Sequence, residues 1–225
     1  MSTLPRPARF PGGLYALCDD SVRPDIPLSQ KARRILDGGA RVLQLRAKRT
    51  PAREAIAALR EILDMARSAG ARCVVNDRVD FALIAGADGV HLGDTDLPVE
   101  DARRLLGLKA IIGRTARDIK GAEAAHRAGA DYVGLGPIFP TATKTVDHSS
   151  LGLETLRAVA SASPLPIVAI SGIALQNIAD VAAAGPHGAA VASDLLNAPD
   201  IADHARRLVA AFERGLARGR IATAP

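Results

Sequence analysis

Short β-type runs and amphipathic segments alternate eight times along this chain, and that alternation limits its possible folds more than any other feature. The runs are "LYALC" (14–18), "RVLQLRA" (41–47), "RCVVN" (72–76), "GVHLG" (89–93), "AIIGRT" (110–115), "YVGLGPI" (132–138), "PIVAIS" (166–171) and "GAAVAS" (188–193). Several are apolar without alternation, the pattern of parallel strands covered on both faces. Pro51, Pro98 and Pro199 open helices, and Gly38-Gly39, Gly70, Gly86, Gly129 and Gly185 close them. A Gly-Ala phrase before a strand recurs in "GGARV", "AGARC", "AGADGV" and "AGADYV", each glycine suited to a left-handed helix end. Eight β→α units of roughly 25 residues predict a single-domain (β/α)8 TIM barrel. An open doubly wound sheet of six units with two decorations is the competing architecture. The barrel is expected over 13–214, between a flexible tail at 1–12 and a loose, fraying end at 215–225.

Composition narrows the class further. Hydrophobic residues make up 48% of the 225, but aromatics only 3%, with no Trp, so the core must be built from Ala, Val, Leu and Ile. The net charge of +5 comes largely from Arg scattered along helical stretches such as "KARRIL" and "HARRLV". That reads as solvated helix faces; nucleic acid would call for a clustered basic stripe with stacking aromatics. Cys18 and Cys73 lie in apolar runs without metal-ligand spacing, which predicts reduced core thiols and a cytoplasmic protein. No run approaches the ~18 apolar residues that span a membrane. The opening "MSTLPRPARFPGG" lacks the apolar segment of a secretory signal.

Active sites of such barrels lie at the C-terminal ends of the strands. The second strand ends "QLRAK", with Gln44, Arg46 and Lys48 two apart and facing one way, roughly 7 Å between successive residues. Two cations aimed at a barrel mouth are unfavourable without an anion, so a phosphate or diphosphate site is expected. The third and fourth strands end in Asn76-Asp77 and "GDTD", and carboxylates on neighbouring strands about 4.8 Å apart can share an ion. Oxygen ligands beside cations suggest Mg²⁺, with Asp77 and Asp96 as ligands. Alternatively, Asp77 caps the helix that follows. Asp94, directly after Gly93, suits the turn better than the metal.

After the sixth strand, "GPIFPTATKTVDHSSLG" is a long loop whose Thr141, Thr143 and Lys144 suit phosphate oxygens. Gly134 and Gly136 leave room there for a ring or a close backbone. The seventh and eighth strands end "AISGI" and "VASDLL", small-residue turns of the kind that bind phosphate through backbone N–H groups. Two anion sites follow, a diphosphate with Mg²⁺ near strands 2 to 4 and a monophosphate near strands 7 and 8. An enzyme joining two phosphorylated small molecules fits that layout. No Ser/His/Asp triad or cysteine nucleophile is evident, and His91 reads as a core residue.

"QLRAK", "NDRVDFALIAGADGVHLGDTDLP", "GADYVGLGPIFPTATK" and "PIVAISGI" together resemble the thiamine-phosphate synthase family over roughly residues 13 to 195. The resemblance implies coupling of a hydroxymethylpyrimidine diphosphate to a thiazole phosphate, with release of pyrophosphate. It would put Gln44, Arg46, Lys48 and Asn76 on the pyrimidine diphosphate, Asp77 and Asp96 on Mg²⁺, and Lys144 on the leaving group. Thr141, Thr143, Gly172 and the Ala192-Ser193 turn would meet the thiazole phosphate. The implied mechanism is dissociative, which explains the missing nucleophile.

Three departures from the family pattern stand out. "GRTARD" places Thr115 and Arg117 where Ser and His are usual, so a hydroxyl is kept but a permanent charge arrives near the pyrimidine. Ser171 replaces a glycine, and Asp194 falls beside the expected thiazole phosphate, where it is unfavourable unless turned outward. The alternatives are a thiazole tautomerase-like isomerase, which needs no diphosphate site, and a degenerate barrel that binds thiamine intermediates.

Overall fold

A computed structural model of the protein describes residues 10–140 and 149–222. Eight parallel strands close into one barrel in sequence order: β1 Gly13–Asp19, β2 Val42–Arg46, β3 Arg72–Asn76, β4 Gly89–Leu92, β5 Ile111–Ala116, β6 Tyr132–Leu135, β7 Ile167–Ile170 and β8 Gly188–Val191. The seam is the β1–β8 pair, which starts at Gly13 opposite Gly188. The helices that follow the strands are α1 Leu28–Asp37, α2 Ala52–Ser68, α3 Val79–Ala85, α4 Val99–Leu106, α5 Ile119–Arg127, α6 Gly152–Ala162, α7 Ile178–Ala183 and α8 Ser193–Leu196. The 22-residue α9, Ile201–Ala222, ends the described chain. The open-sheet alternative is excluded by the closure.

Alternation along each strand divides the apolar residues into two cores. Outward residues such as Ala16, Leu43, Val75, Ile112 and Val133 pack against the helices. Inward residues, among them Tyr15, Val42, Val74, Ile111, Tyr132 and Val168, fill the cylinder. The chain has only two tyrosines, and both lie inside, their hydroxyls 2.8 Å apart. Phe10 closes the lower end with its ring centroid 4.5 Å from that of Tyr132. The expected tail at 1–12 therefore needs correcting: Phe10 is buried, and Gly13 N–H bonds the His187 carbonyl. Residues 1–9 lie outside the described residues.

Acids in the recurring Gly-Ala-Asp phrases hold the lower rim. Asp88 accepts the Cys73 N–H at 2.8 Å, and Asp131 accepts the Ile112 N–H at 2.7 Å and the Arg103 guanidinium at 2.6 Å. Each carboxylate thus ties a strand to the start of its neighbour, a structural task at the end opposite the strand termini where chemistry is placed. Cys18 and Cys73 are free and buried, and burial pushes both thiols up, Cys18 to about 12. Among the described residues no helix is long and apolar enough to cross a membrane.

The expected loose end at 215–225 also differs. α9 continues to Ala222, and its Gly215 and Gly219 face the backbone of α7. These glycines let two helices approach closely; a Cβ on Gly215 would overlap the Ala179 carbonyl. Gly215→Ala should therefore destabilise the protein by about 1–3 kcal/mol in urea unfolding, although alanine is the better helix former by ~1 kcal/mol.

Candidate active site

The upper rim is built first at the end of β1. Asp19 is almost wholly buried and accepts Arg46 Nη1 at 2.9 Å on one oxygen, with Ser21 N and Oγ at 2.8 and 2.6 Å on the other. Lys31, buried in α1, donates to the Asp19 and Val22 carbonyls at 2.9 and 2.6 Å, which fixes the turn above. Burial lowers the Lys31 pKa from its ordinary value. Asp20 gathers the N–H groups of Lys48, Arg49 and Thr50 at 3.1, 2.7 and 2.8 Å, and the Thr50 hydroxyl at 2.9 Å. Burial would raise the Asp20 pKa, yet these donors hold it below the usual carboxylate range. The loop carrying Lys48 is therefore wrapped around one carboxylate.

Arg46 and Lys48 do not stand as unpaired cations. Arg46 turns to Asp19, and Lys48 Nζ pairs with Asp77. The cost that seemed to demand an external anion is met by protein carboxylates. Lys48 is 48% exposed, so its pair is of the weak, solvent-screened kind and is readily exchanged. Gln44 lies deeper: it is buried, and its Nε2 donates to the Tyr15 hydroxyl at 2.7 Å.

Asp77 takes a left-handed φ of 62°, a conformation aspartate tolerates better than most residues. It does not cap α3, whose N-cap residue is Arg78 without a side-chain cap bond, so the alternative capping role falls away. Instead it neighbours Asp96, whose Oδ2 accepts the Gly93 N–H at 2.6 Å. Burial first, and then the Asp77 carboxyl within hydrogen-bond reach, push the Asp96 pKa up against the opposing pull of Gly93 N–H and Lys48. Two crowded carboxylates with only oxygen donors suit a hard divalent cation that completes its shell with phosphate and water. Among the described residues no cluster of three or more His, Cys, Asp or Glu could form a full protein cage, as that Mg²⁺ preference allows. Asp94 pairs with Arg114 at 3.2 Å, away from this role. Asn76, beside His91 in register, makes no side-chain hydrogen bond to a described residue.

On the far side of the mouth, Thr115 Oγ1 lies 3.2 Å from His91 Nε2, and His91 Nδ1 lies 3.0 Å from the Tyr132 hydroxyl. The space at Gly134 is filled by the imidazole of His91 itself, since a Cβ there would sit 2.8 Å from His91 Cε1. Arg117 reaches the Ser149 carbonyl at 3.4 Å. Ser171 has φ 78°, a strained conformation for a residue with a Cβ. Gly172, φ 67°, packs on the backbone of Phe139 and Pro140, and Asn177 Nδ2 ties its carbonyl at 2.9 Å. The turn after β7 does not lead straight into a helix, because α7 starts only at Ile178. Ala192 and Ser193 do open α8. Asp194 accepts Leu175 N–H at 3.1 Å and His204 Nε2 at 2.7 Å. Thr141, Thr143 and Lys144 lie outside the described residues.

A profile of the family described as thiamine monophosphate synthase matches residues 14–195. The chain belongs to that family. It is similar to the thiamine-phosphate synthase of Myxococcus xanthus, 59% identical over 94% of this chain and 97% of the relative. That of Methanospirillum hungatei is 43% identical over 87% and 95%. The solved thiamine phosphate pyrophosphorylase of Pyrococcus furiosus superposes with a TM-score of 0.83 at 35% identity, covering 91% of this chain and 96% of that one. The transferase class and the place in thiamine biosynthesis follow from membership in the thiamine monophosphate synthase family. Sequence reasoning overlooked Asp19, Asp20 and Lys31. The signal for the first two was the pair of acids directly after "LYALC"; a buried lysine bonded to two carbonyls leaves no such trace.

Two outcomes follow at the rim. Folding holds the Asp20 pKa down, so its contribution is complete above the unfolded value of ~3.9 and fades as pH falls through the native one. Asp20→Asn should cost about 1–2 kcal/mol at pH 7, with the gap to the parent narrowing by pH 3 in urea unfolding. Ser171→Gly should raise stability by about 1 kcal/mol in the same assay, whereas Ser171→Ala should not.

Proposed function

We infer that the protein condenses 4-amino-2-methyl-5-hydroxymethylpyrimidine diphosphate with a thiazole phosphate, giving thiamine phosphate and pyrophosphate. Family membership supports the reaction class. The observation that carries the local chemistry is the Asp77–Asp96 pair with Lys48 set against it at the ends of β2, β3 and β4. Asp77 and Asp96 would hold Mg²⁺, which when bound supplies positive charge to stabilise a departing diphosphate.

The remaining steps belong to the chain. Lys48 exchanges its screened contact with Asp77 for a diphosphate oxygen, which frees that carboxylate for the ion. Arg46, braced by Asp19, adds fixed charge beside it without having to reorganise. Asp20 holds the Lys48 loop by backbone bonds that survive this exchange. Asn76, with no side-chain partner among the described residues, is available to the same substrate. Gln44 and Thr115 line the floor, where the pyrimidine ring would lie. Departure of pyrophosphate leaves a pyrimidinylmethyl cation that the thiazole nitrogen captures, so no residue acts as nucleophile and rate comes from positioning and charge. We assign the thiazole phosphate to Gly172 and the Ala192-Ser193 turn, with Thr141 and Thr143, and the leaving diphosphate also to Lys144. The two reduced, buried thiols support a cytoplasmic setting.

Incubation with both substrates and Mg²⁺ should yield thiamine phosphate and pyrophosphate in equal amounts. Asp96→Ala should lower turnover by about a hundredfold or more while leaving the fold intact by circular dichroism. Unchanged turnover would remove Asp96 from the metal site.

A further inference from the structure

The interior of the barrel carries an unbroken hydrogen-bonded line from one wall to the other. Gln44 Nε2 on β2 meets the Tyr15 hydroxyl on β1 at 2.7 Å, and Tyr15 meets the Tyr132 hydroxyl on β6 at 2.8 Å. Tyr132 meets His91 Nδ1 on β4 at 3.0 Å, and His91 Nε2 meets Thr115 Oγ1 on β5 at 3.2 Å. The line is built for: a Cβ on Gly113 would overlap the Tyr132 ring, and one on Gly134 would crowd His91. We propose that this relay sets the hydrogen-bonding sense of its two end groups, so that Gln44 Oε1 presents an acceptor and the Thr115 hydroxyl a donor to a 4-aminopyrimidine ring lying between them.

Counting protons gives the sense. Each tyrosine hydroxyl has one hydrogen to donate. Tyr15 accepts from the Gln44 amide, so its own proton goes to Tyr132. Tyr132 then donates to His91 Nδ1, which places the imidazole proton on Nε2, directed at Thr115. The Thr115 oxygen is thereby an acceptor within the line, and its own hydrogen points elsewhere. At the opposite end Gln44 Oε1 accepts nothing from a described residue. Among the described residues no buried side-chain oxygen or nitrogen lacks a partner, so that oxygen borders open space. Burial raises both tyrosine pKa values well above the ordinary range, which keeps the proton count fixed. Reversing the Gln44 amide would reverse every bond in turn. The two ends therefore always differ, one donor and one acceptor. An exocyclic amino group facing Gln44 and an unprotonated ring nitrogen facing Thr115 match this pattern, whereas an oxo group and a protonated ring nitrogen have the opposite one. Tyr15, Tyr132 and His91 are thus positioning residues that act through Gln44 and Thr115.

The inference rests on the pyrimidine reading above, and two measurements separate the two ideas. Calorimetric titration with Mg²⁺ present should show the 4-amino pyrimidine diphosphate binding at least about thirtyfold tighter than its 4-oxo counterpart. Tyr132→Phe keeps the ring and breaks the line; it should reduce that preference to below about fivefold. Tyr15→Phe, which breaks it one bond away, should do the same if the first variant fails to fold. A preference retained in a folded variant would overturn the relay. Independently, nitrogen NMR of the ligand-free protein, with His91→Gln as the assignment control, should show His91 protonated on Nε2. Protonation on Nδ1 would overturn the sense proposed here. A parent protein that binds neither diphosphate would overturn the pyrimidine reading, while the NMR result would still judge the relay.

Discussion

Burial of every strand on both faces is the constraint from which the rest of this structure follows. A strand of period two must satisfy a narrow cylinder on one side and a helix layer on the other, and a slip of one residue would exchange the two sets. The helix layer accepts aliphatic residues of many sizes. The cylinder is less tolerant: beside small residues such as Ala190 and the inward glycines it admits three aromatic rings, from Phe10, Tyr15 and Tyr132. Polar groups that enter it must be bonded, because an unpaired one is costly in a low dielectric. Gln44, His91 and Thr115 meet that requirement through the two tyrosines.

Carboxylates are divided between the barrel's ends according to task. At the lower rim Asp88 and Asp131 bind backbone N–H groups and arginines, so their charge is used up in holding strands together. At the upper rim Asp19 and Asp20 do similar work for Arg46 and the Lys48 loop. Asp77 and Asp96 are different. They lie side by side, and burial first, then the neighbouring Asp77 carboxyl, push the Asp96 pKa up. That difference from the other rim acids is what supports the Mg²⁺ proposal.

Much of this was legible in the residues. Eight apolar runs with glycine and proline punctuation specify the strand order, because parallel crossovers leave few other closed solutions. The position of the strand-end polar groups was legible for the same reason: runs followed by Asn76-Asp77 and by Asp96 end at the rim formed by the C-terminal ends of the strands. Partnerships were not. Nothing in "QLRAK" says that Arg46 leans to β1 and Lys48 to β3, since these are contacts between segments far apart in the chain. Phe10 and Gly215 misled for a related reason. A Pro/Arg-rich start and an end such as "RGLARGRIATAP" have the local chemistry of loose termini, and only the ring of Tyr132 and the backbone of α7 give Phe10 and Gly215 a place.

The glycines opposite Tyr132 and His91 have a consequence for inheritance. Gly113 and Gly134 are empty so that Tyr132 of β6 and His91 of β4 can occupy their volume. Any methyl acquired at either position must be matched by a smaller side chain at Tyr132 or His91, and any smaller side chain leaves a void that the glycine cannot fill. Descendants of this sequence can therefore drift at these sites only in pairs, Gly113 with Tyr132 and Gly134 with His91, which couples the shape of the barrel's interior to codons for different strands.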